Sequence, residues 1–295
     1  ATELEARGAD LSDRLWSARL LADDPDLIFR VHMDYLAAGA DCIVSASYQA
    51  TVSRFMEAGR TKAQAERLLL RSVELAREAR DSFWSDPANR KDRARPLVAS
   101  SVGPYGAYLA DGSEYTGEYP MGEEQLVRFH RDRLNLLASA GADLLACETI
   151  PSMPETFALC RLMEELKGSE AWFTFSCRDG GRLRDGASLV EAAALVSRTT
   201  GVTAVGVNCV DPALVPALIR TLQAGSSLPV VVYPNSGENW DRSRRCWTGN
   251  RDSSEPADQA VHWVEAGAAM IGGCCRVGPE AIRRLRAALL ASPST

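Results

Sequence analysis

The sequence predicts an α/β fold, a (β/α)8 barrel of the TIM type, from three observations. Short apolar runs rich in Val, Ile and aromatic residues alternate with longer amphipathic stretches, the βαβα pattern of a parallel sheet. A signature of helix end, glycine and strand start recurs three times along the chain. No low-complexity linker divides the 295 residues. Residues 1–295 therefore read as a single domain, close to the roughly 250 residues in which one barrel commonly forms.

The predicted strands are Cys42 to Tyr48, Leu97 to Val102, Leu144 to Cys147, Trp172 to Cys177, Ala204 to Cys209, Val230 to Tyr233 and Met270 to Gly273. Between them, helical spacing shows in Leu189, Ala192, Ala193 and Val196, in Leu214, Leu218 and Leu222, and in Ile282, Leu285 and Leu289. Pro279 stands just inside the start of the last helix, where a missing N–H costs nothing. The recurring signature is Ala38-Gly39-Ala40-Asp41, Ala140-Gly141-Ala142-Asp143 and Ala266-Gly267-Ala268-Ala269, each followed by an apolar strand start. Such regularity favours a closed barrel, with an open doubly wound sheet as the competitor, because seven strands leave the usual eight-stranded barrel unclosed. The eighth strand is expected before residue 1. The polar stretch Ser85 to Arg95 and the Gly/Tyr-rich stretch Gly103 to Tyr119 read as loops. The second follows a strand end, and loops in that position form the ligand-binding face of a parallel α/β fold.

A formal charge of −6 argues against a general nucleic-acid binder, which needs a basic face for phosphates. An acidic surface favours cationic small molecules instead. No apolar run approaches the roughly 20 residues of a membrane span, and no basic segment with an apolar stretch opens the chain, so the expected location is cytoplasmic. The 8 cysteines are too sparse for a disulfide-stapled secreted domain. Clustered thiols in a reducing compartment read as metal or catalytic ligands.

Cys209 ends one predicted strand and Cys274-Cys275 end another, which puts all three at one rim. Three thiolates give a zinc ion three soft ligands and leave a fourth tetrahedral position for water or substrate, a catalytic arrangement. The competing readings are three small buried hydrophobes, or a strained disulfide between Cys274 and Cys275. Cys42, Cys147, Cys160, Cys177 and Cys246 show no comparable cluster and read as packing residues. His32, His130 and His262 fall in helical stretches and are poor candidates for ligand or base. Glu148 follows Gly141 as Cys274 follows Gly267, so the repeat places both at one level. A carboxylate at the top of an apolar strand is expensive unless it binds a cation or a donor; a helix cap or rim ion pair is the plain alternative. Tyr233-Pro234-Asn235-Ser236-Gly237-Glu238 gathers polar groups after a strand, as an ordinary turn or as substrate contacts.

Gly206-Val207-Asn208-Cys209 together with Gly272-Gly273-Cys274-Cys275 resembles the zinc motif of the homocysteine S-methyltransferases. Ser101-Val102-Gly103-Pro104-Tyr105-Gly106-Ala107, Ala146-Cys147-Glu148-Thr149 and Val232-Tyr233-Pro234-Asn235-Ser236-Gly237-Glu238 are similar to that family too, and the resemblance runs from residue 1 to about 290. It is strongest to the branch that uses S-methylmethionine. The resemblance implies a (β/α)8 barrel, zinc ligands at Cys209, Cys274 and Cys275, and Glu148 as the acid that holds the homocysteine amino group. Asn235 and Ser236, in the polar turn after the strand, and Tyr48, through its ring face, are the further candidate substrate contacts. The resemblance also implies a first strand, ending in an Asp-Gly-Ala-like segment, ahead of the stretch matching Ala1-Thr2-Glu3-Leu4; that strand is missing from this sequence.

The implied chemistry is attack of a homocysteine thiolate on the methyl group of a sulfonium, S-methylmethionine or S-adenosylmethionine, giving methionine. Metal coordination deprotonates a thiol whose free pKa is about 8.5, and a neutral thioether leaves, so no general acid is needed. Glu148, Glu238 or the faces of Tyr48, Tyr105, Tyr108 and Trp240 are the expected donor contacts. The alternatives are the same zinc site acting on another thiol or selenol, such as selenocysteine, and a zinc- and thiol-binding barrel without methyl transfer.

Overall fold

The computed structural model describes residues 1–11, 15–241, 246–248 and 256–291. Seven parallel strands form one sheet in sequence order: β1 (Cys42–Val44), β2 (Leu97–Val102), β3 (Leu144–Ile150), β4 (Ala171–Phe175), β5 (Val202–Asn208), β6 (Val230–Tyr233) and, at the far edge, Ala268–Ile271. Between the last two lies an antiparallel ribbon of β7 (Asn239–Asp241) and β8 (Cys246–Thr248), so the final sheet strand is β9. All seven predicted strands are present. The ribbon was not anticipated, because the polar run after Tyr233 carries turn chemistry and little alternation.

Helices cover the outer face, the longest being Pro25–Ala38, Lys62–Ser85 and Glu123–Ser139. The predicted helical positions hold: Leu189, Ala192, Ala193 and Val196 are buried on Leu189–Val196, and Leu218 and Leu222 on Val215–Gly225. Pro279 opens the last helix, Pro279–Ala291. Gly39, Gly141 and Gly267 adopt φ of 108°, 79° and 108°. Only glycine takes that left-handed turn cheaply, which is why the same signature ends three helices.

Side-chain alternation along the strands sorts the two faces of the sheet. Leu145, Cys147, Phe173, Phe175, Val205 and Val207 point outward into the large core under the helices. Ala99, Ala146, Trp172, Ala204 and Val231 point inward and pack on one another. Tyr233 on β6 reaches Glu148 on β3 and Thr174 on β4, at 3.2 and 2.7 Å. Contacts between strands so far apart in the order require a sheet curled around its inner face. Small residues permit the curl: a Cβ on Gly206 of β5 would collide with the Val231 carbonyl oxygen of β6.

Strand ends differ from expectation at the rim. The first strand stops at Val44 rather than Tyr48 because the next carbonyls leave the ladder. Arg133, buried on Glu123–Ser139, donates Nη2 to the carbonyl oxygens of Ser47 and Tyr48, both at 2.7 Å, and Nη1 to that of Gly103 at 2.9 Å. One guanidinium thus ties together the loops after β1 and β2. β9 likewise ends at Ile271, and Gly272 and Gly273 begin the turn that carries two cysteines.

Candidate metal and substrate site

The C-terminal ends of the strands bring Cys209, Cys274 and Cys275 together, with all three Sγ atoms within 4.8 Å of one another. The Cys209 and Cys275 sulfurs are 3.8 Å apart. All three are free thiols, which removes the vicinal disulfide. The placement comes from backbone geometry. Cys209 leaves β5 with φ 50°, and its N–H donates to the Tyr233 carbonyl at 3.3 Å. The Cys274 N–H donates to the Pro234 carbonyl at 2.8 Å, and the Cys275 N–H to Asn235 Oδ1 at 3.2 Å. A Cβ on Gly273 would collide with Val277, so only glycine lets the turn close.

Among the described residues this is the only group of three or more metal-capable side chains whose ligand atoms lie so close together. Hydrogen bonding to Cys274 and Cys275, then burial, pushes the Cys209 thiol up. Hydrogen bonds from Cys209 and Cys274 pull Cys275 down. Protons are therefore shared among three sulfurs, and a site that ionises all of them needs a cation in their midst. Soft, converging sulfur donors fit a zinc-like ion.

Asn208 organises the neighbourhood. Fully buried, it donates Nδ2 to Thr149 Oγ1 and accepts the Thr149 N–H at Oδ1, both at 2.8 Å, with Cys274 Sγ 3.8 Å from Nδ2. Thr149 holds φ at 62°, a conformation that costs about 1 kcal/mol or more for a β-branched residue and persists only where its surroundings enforce it. Tyr48 is buried close enough to Thr149 and Cys209 for both to bear on its hydroxyl, which places the rim after β1 beside the sulfurs.

Glu148 is 8% exposed on the inner face of β3. Ser101 donates to its Oε1, and the Tyr233 hydroxyl donates to its Oε2 at 3.2 Å. Neither a helix cap nor an ion pair explains it among the described residues. Burial raises its pKa to about 7, with Ser101 and Tyr233 opposing and Cys274 adding to the rise. Two hydroxyl donors satisfy part of a carboxylate's four acceptor sites and leave room for a cationic donor.

The other expected contacts divide. Asn235 and Ser236 lie against the cysteine turn: Asn235 Oδ1 receives the Cys275 N–H, and the Ser236 N–H donates to the Cys275 carbonyl at 3.2 Å. Glu238 pairs with Arg276 at 3.0 Å and accepts from Ser236 Oγ at 2.9 Å, so it braces the same turn. Tyr105 and Tyr108 pack instead into an aromatic patch with Phe129, at 4.9 and 5.3 Å between ring centres. The side chain of Trp240 lies outside the described residues. The tyrosine whose ring is felt by the sulfurs is Tyr115, which helps to pull the Cys275 thiol down. The sequence signal for it is the Gly/Tyr-rich loop after β2, but loop composition does not say which ring folds toward the sulfurs. None of the histidines joins the cluster.

A family model described as homocysteine S-methyltransferase matches residues 1–289. The chain belongs to the homocysteine S-methyltransferase family. It is 47% identical over 287 residues to homocysteine S-methyltransferase YbgG of Bacillus subtilis, covering 97% of this chain and 91% of that one. It is 46% identical over 288 residues to the homocysteine S-methyltransferase of Escherichia coli, covering 97% and 92%. The crystal structure of the E. coli homocysteine methyltransferase MmuM in its metallated form superposes with a TM-score of 0.86 at 45% identity, over 97% of this chain and 92% of that one. No helix among the described residues is long and apolar enough to cross a membrane.

Proposed function

We propose that this cytoplasmic enzyme transfers a methyl group from S-methylmethionine, or from S-adenosylmethionine, to homocysteine, using zinc held by Cys209, Cys274 and Cys275. The observation that carries the reading is the convergence of three thiols at the mouth of a curled parallel sheet, in a chain of this family. The curled sheet is read as the body of a (β/α)8 barrel in a single domain, with small-molecule substrates entering at the strand C-termini.

When bound, zinc supplies a Lewis acid that lets the homocysteine thiol ionise near neutral pH. The chain's own residues supply position and charge. Glu148, ionised, takes the ammonium group of homocysteine, and the Ser101 and Tyr233 hydroxyls fix the direction in which its oxygens point. Asn208 and Thr149 hold Cys274, and Asn235 holds the Cys275 backbone. Tyr48 borders the acceptor through Thr149, and Ser236 supports the cysteine turn from below. The thiolate lone pair of homocysteine attacks the sulfonium methyl carbon in line. A new carbon–sulfur bond forms as the old one breaks, its electron pair returns to the donor sulfur, and a neutral thioether leaves. No proton has to move in that step, which agrees with a site without histidine. Positioning of the two sulfurs is the main catalytic contribution.

Cys274→Ser tests the reading directly. One zinc per chain and methionine formation are expected in the wild type, and both should be lost together in the variant; a variant that keeps its metal and its rate would refute the assignment.

A further inference from the structure

Arg184 lies in the loop after β4, and nothing said so far gives it a role. Along β4, Trp172 and Thr174 face the interior of the curled sheet, while Phe173 and Phe175 face the helices. Ser176, fully buried just past the end of β4, continues that alternation on the side of Thr174. Arg184 Nε donates to Ser176 Oγ at 3.0 Å, which hangs the guanidinium over the mouth by one edge. The loop that carries it is fixed. Cys177 bridges to Leu183 and Arg182 to Ser188, and the Asp185 N–H donates to the Pro151 carbonyl at 3.1 Å.

The remaining edge of the fork, Nη1 and Nη2, has no hydrogen bond or ion pair among the described residues. This sets Arg184 apart from the buried arginines. Arg80 pairs with Asp81 and Asp143, Arg54 with Glu57, and Arg133 with three carbonyl oxygens. The ionisable groups that sense Arg184 are Cys177, Tyr115 and Cys209, with no carboxylate among them, and burial lowers its pKa. A half-buried guanidinium with an open N–H edge and no acid is costly to keep, and that edge matches a carboxylate in a bidentate fork. Glu148 meanwhile senses Cys274. The mouth thus carries a negative group toward one cysteine and a positive group toward another, the charge pattern of a zwitterion whose sulfur lies between.

We propose that Arg184 binds the α-carboxylate of an amino-acid substrate whose sulfur sits at the cysteine cluster. The inference rests on the reading of that cluster as the place where substrate sulfur binds. Both the acceptor and the sulfonium donor of the proposed reaction carry such a carboxylate, and the test separates them.

The test uses the zinc-loaded full chain and its Arg184→Gln variant. Calorimetry gives Kd for L-homocysteine and for 3-aminopropane-1-thiol, the same molecule without its carboxylate, and steady-state assays give KM for S-methylmethionine and for its carboxamide. If the acceptor is held, Arg184→Gln weakens homocysteine about 10- to 100-fold and leaves 3-aminopropane-1-thiol unchanged. If the donor is held, homocysteine is unchanged, KM for S-methylmethionine rises by a similar factor at constant kcat, and the carboxamide is indifferent to the substitution. Changes under twofold for both substrates, or equal weakening of the carboxylate-free analogues, overturn the proposal. Should the variant fail to fold, the wild type decides. A preference of tenfold or more, on the same scale, for the carboxylate over the amide form of one substrate supports the carboxylate site, and no preference for either overturns it. A wild type that holds no zinc and binds no homocysteine brings down the reading of the cluster and the inference with it. A wild type that does both, matched by Arg184→Gln in its homocysteine Kd and in its KM for S-methylmethionine, brings down the inference alone.

Discussion

Two buried glutamates on one strand–helix unit have opposite fates. Glu148 ends the inward row of β3, and Glu155 stands in the first turn of the following helix, fully buried. Glu155 is crowded with donors. His130 Nε2 lies 2.7 Å from Oε1, the Tyr105 N–H donates to the same oxygen at 2.6 Å, and the Tyr119 hydroxyl donates to Oε2. Burial pushes the pKa of His130 down, so the ring is neutral and presents Nε2–H to the carboxylate. These three donors come from both ends of the loop after β2 and from the helix beneath it, and together they clamp the loop that delivers Tyr115. Glu148 receives two hydroxyls and faces the sulfurs. A buried acid saturated by its own chain is a fastener, whereas one left short of donors at a rim is waiting for a ligand.

The largest effect expected from this contrast is at the fastener. Glu155→Ala strands two N–H groups and a hydroxyl, and should lower the unfolding free energy by roughly 3–5 kcal/mol. Urea unfolding of the zinc-loaded chain measures it, and a loss below about 1 kcal/mol would mean the clamp is not structural. Glu148→Gln should do the reverse: stability near wild type, but homocysteine affinity lower by roughly 2–3 kcal/mol, or about 30- to 140-fold. Equal losses of stability in the two variants would erase the distinction.

Acidity sharpens it further. With a pKa of about 7, Glu148 is protonated below neutrality and cannot hold an ammonium. Wild-type affinity should therefore fall about tenfold per pH unit below that point relative to Glu148→Gln, a ratio in which the shared ionisation of the substrate thiol cancels. The sign for stability is opposite. A carboxyl whose folded pKa lies above its unfolded value favours the folded state at low pH, and that contribution is lost as pH rises from the ordinary glutamate value of 4.5 through about 7. The smallest effect belongs to Tyr119→Phe, which removes one of the three donors to Glu155 and should cost about 1–2 kcal/mol. Thermal unfolding checks it, and kcat should follow only as far as Tyr115 moves.

Much of this protein is legible in its sequence, for reasons of period and residue type. Short apolar runs rich in β-branched residues mark the strands, and glycine ahead of three of them marks where a left-handed turn ends a helix. The sulfurs at the ends of two strands, Cys209 and Cys274-Cys275, are legible because a parallel sheet places all its strand C-termini on one side. Glu148 stands out because a charge at the end of an apolar run needs a reason. What period cannot carry is which distant groups meet. The curl of the sheet pairs Tyr233 with Glu148, and the clamp on Glu155 turns Tyr115 rather than Tyr105 or Tyr108 toward Cys275. A fixed loop after β4 leaves one edge of Arg184 open over the mouth. Sequence decides what each segment prefers locally, through backbone sterics and burial. Only the closed tertiary structure decides which buried polar groups find partners and which are left facing a ligand.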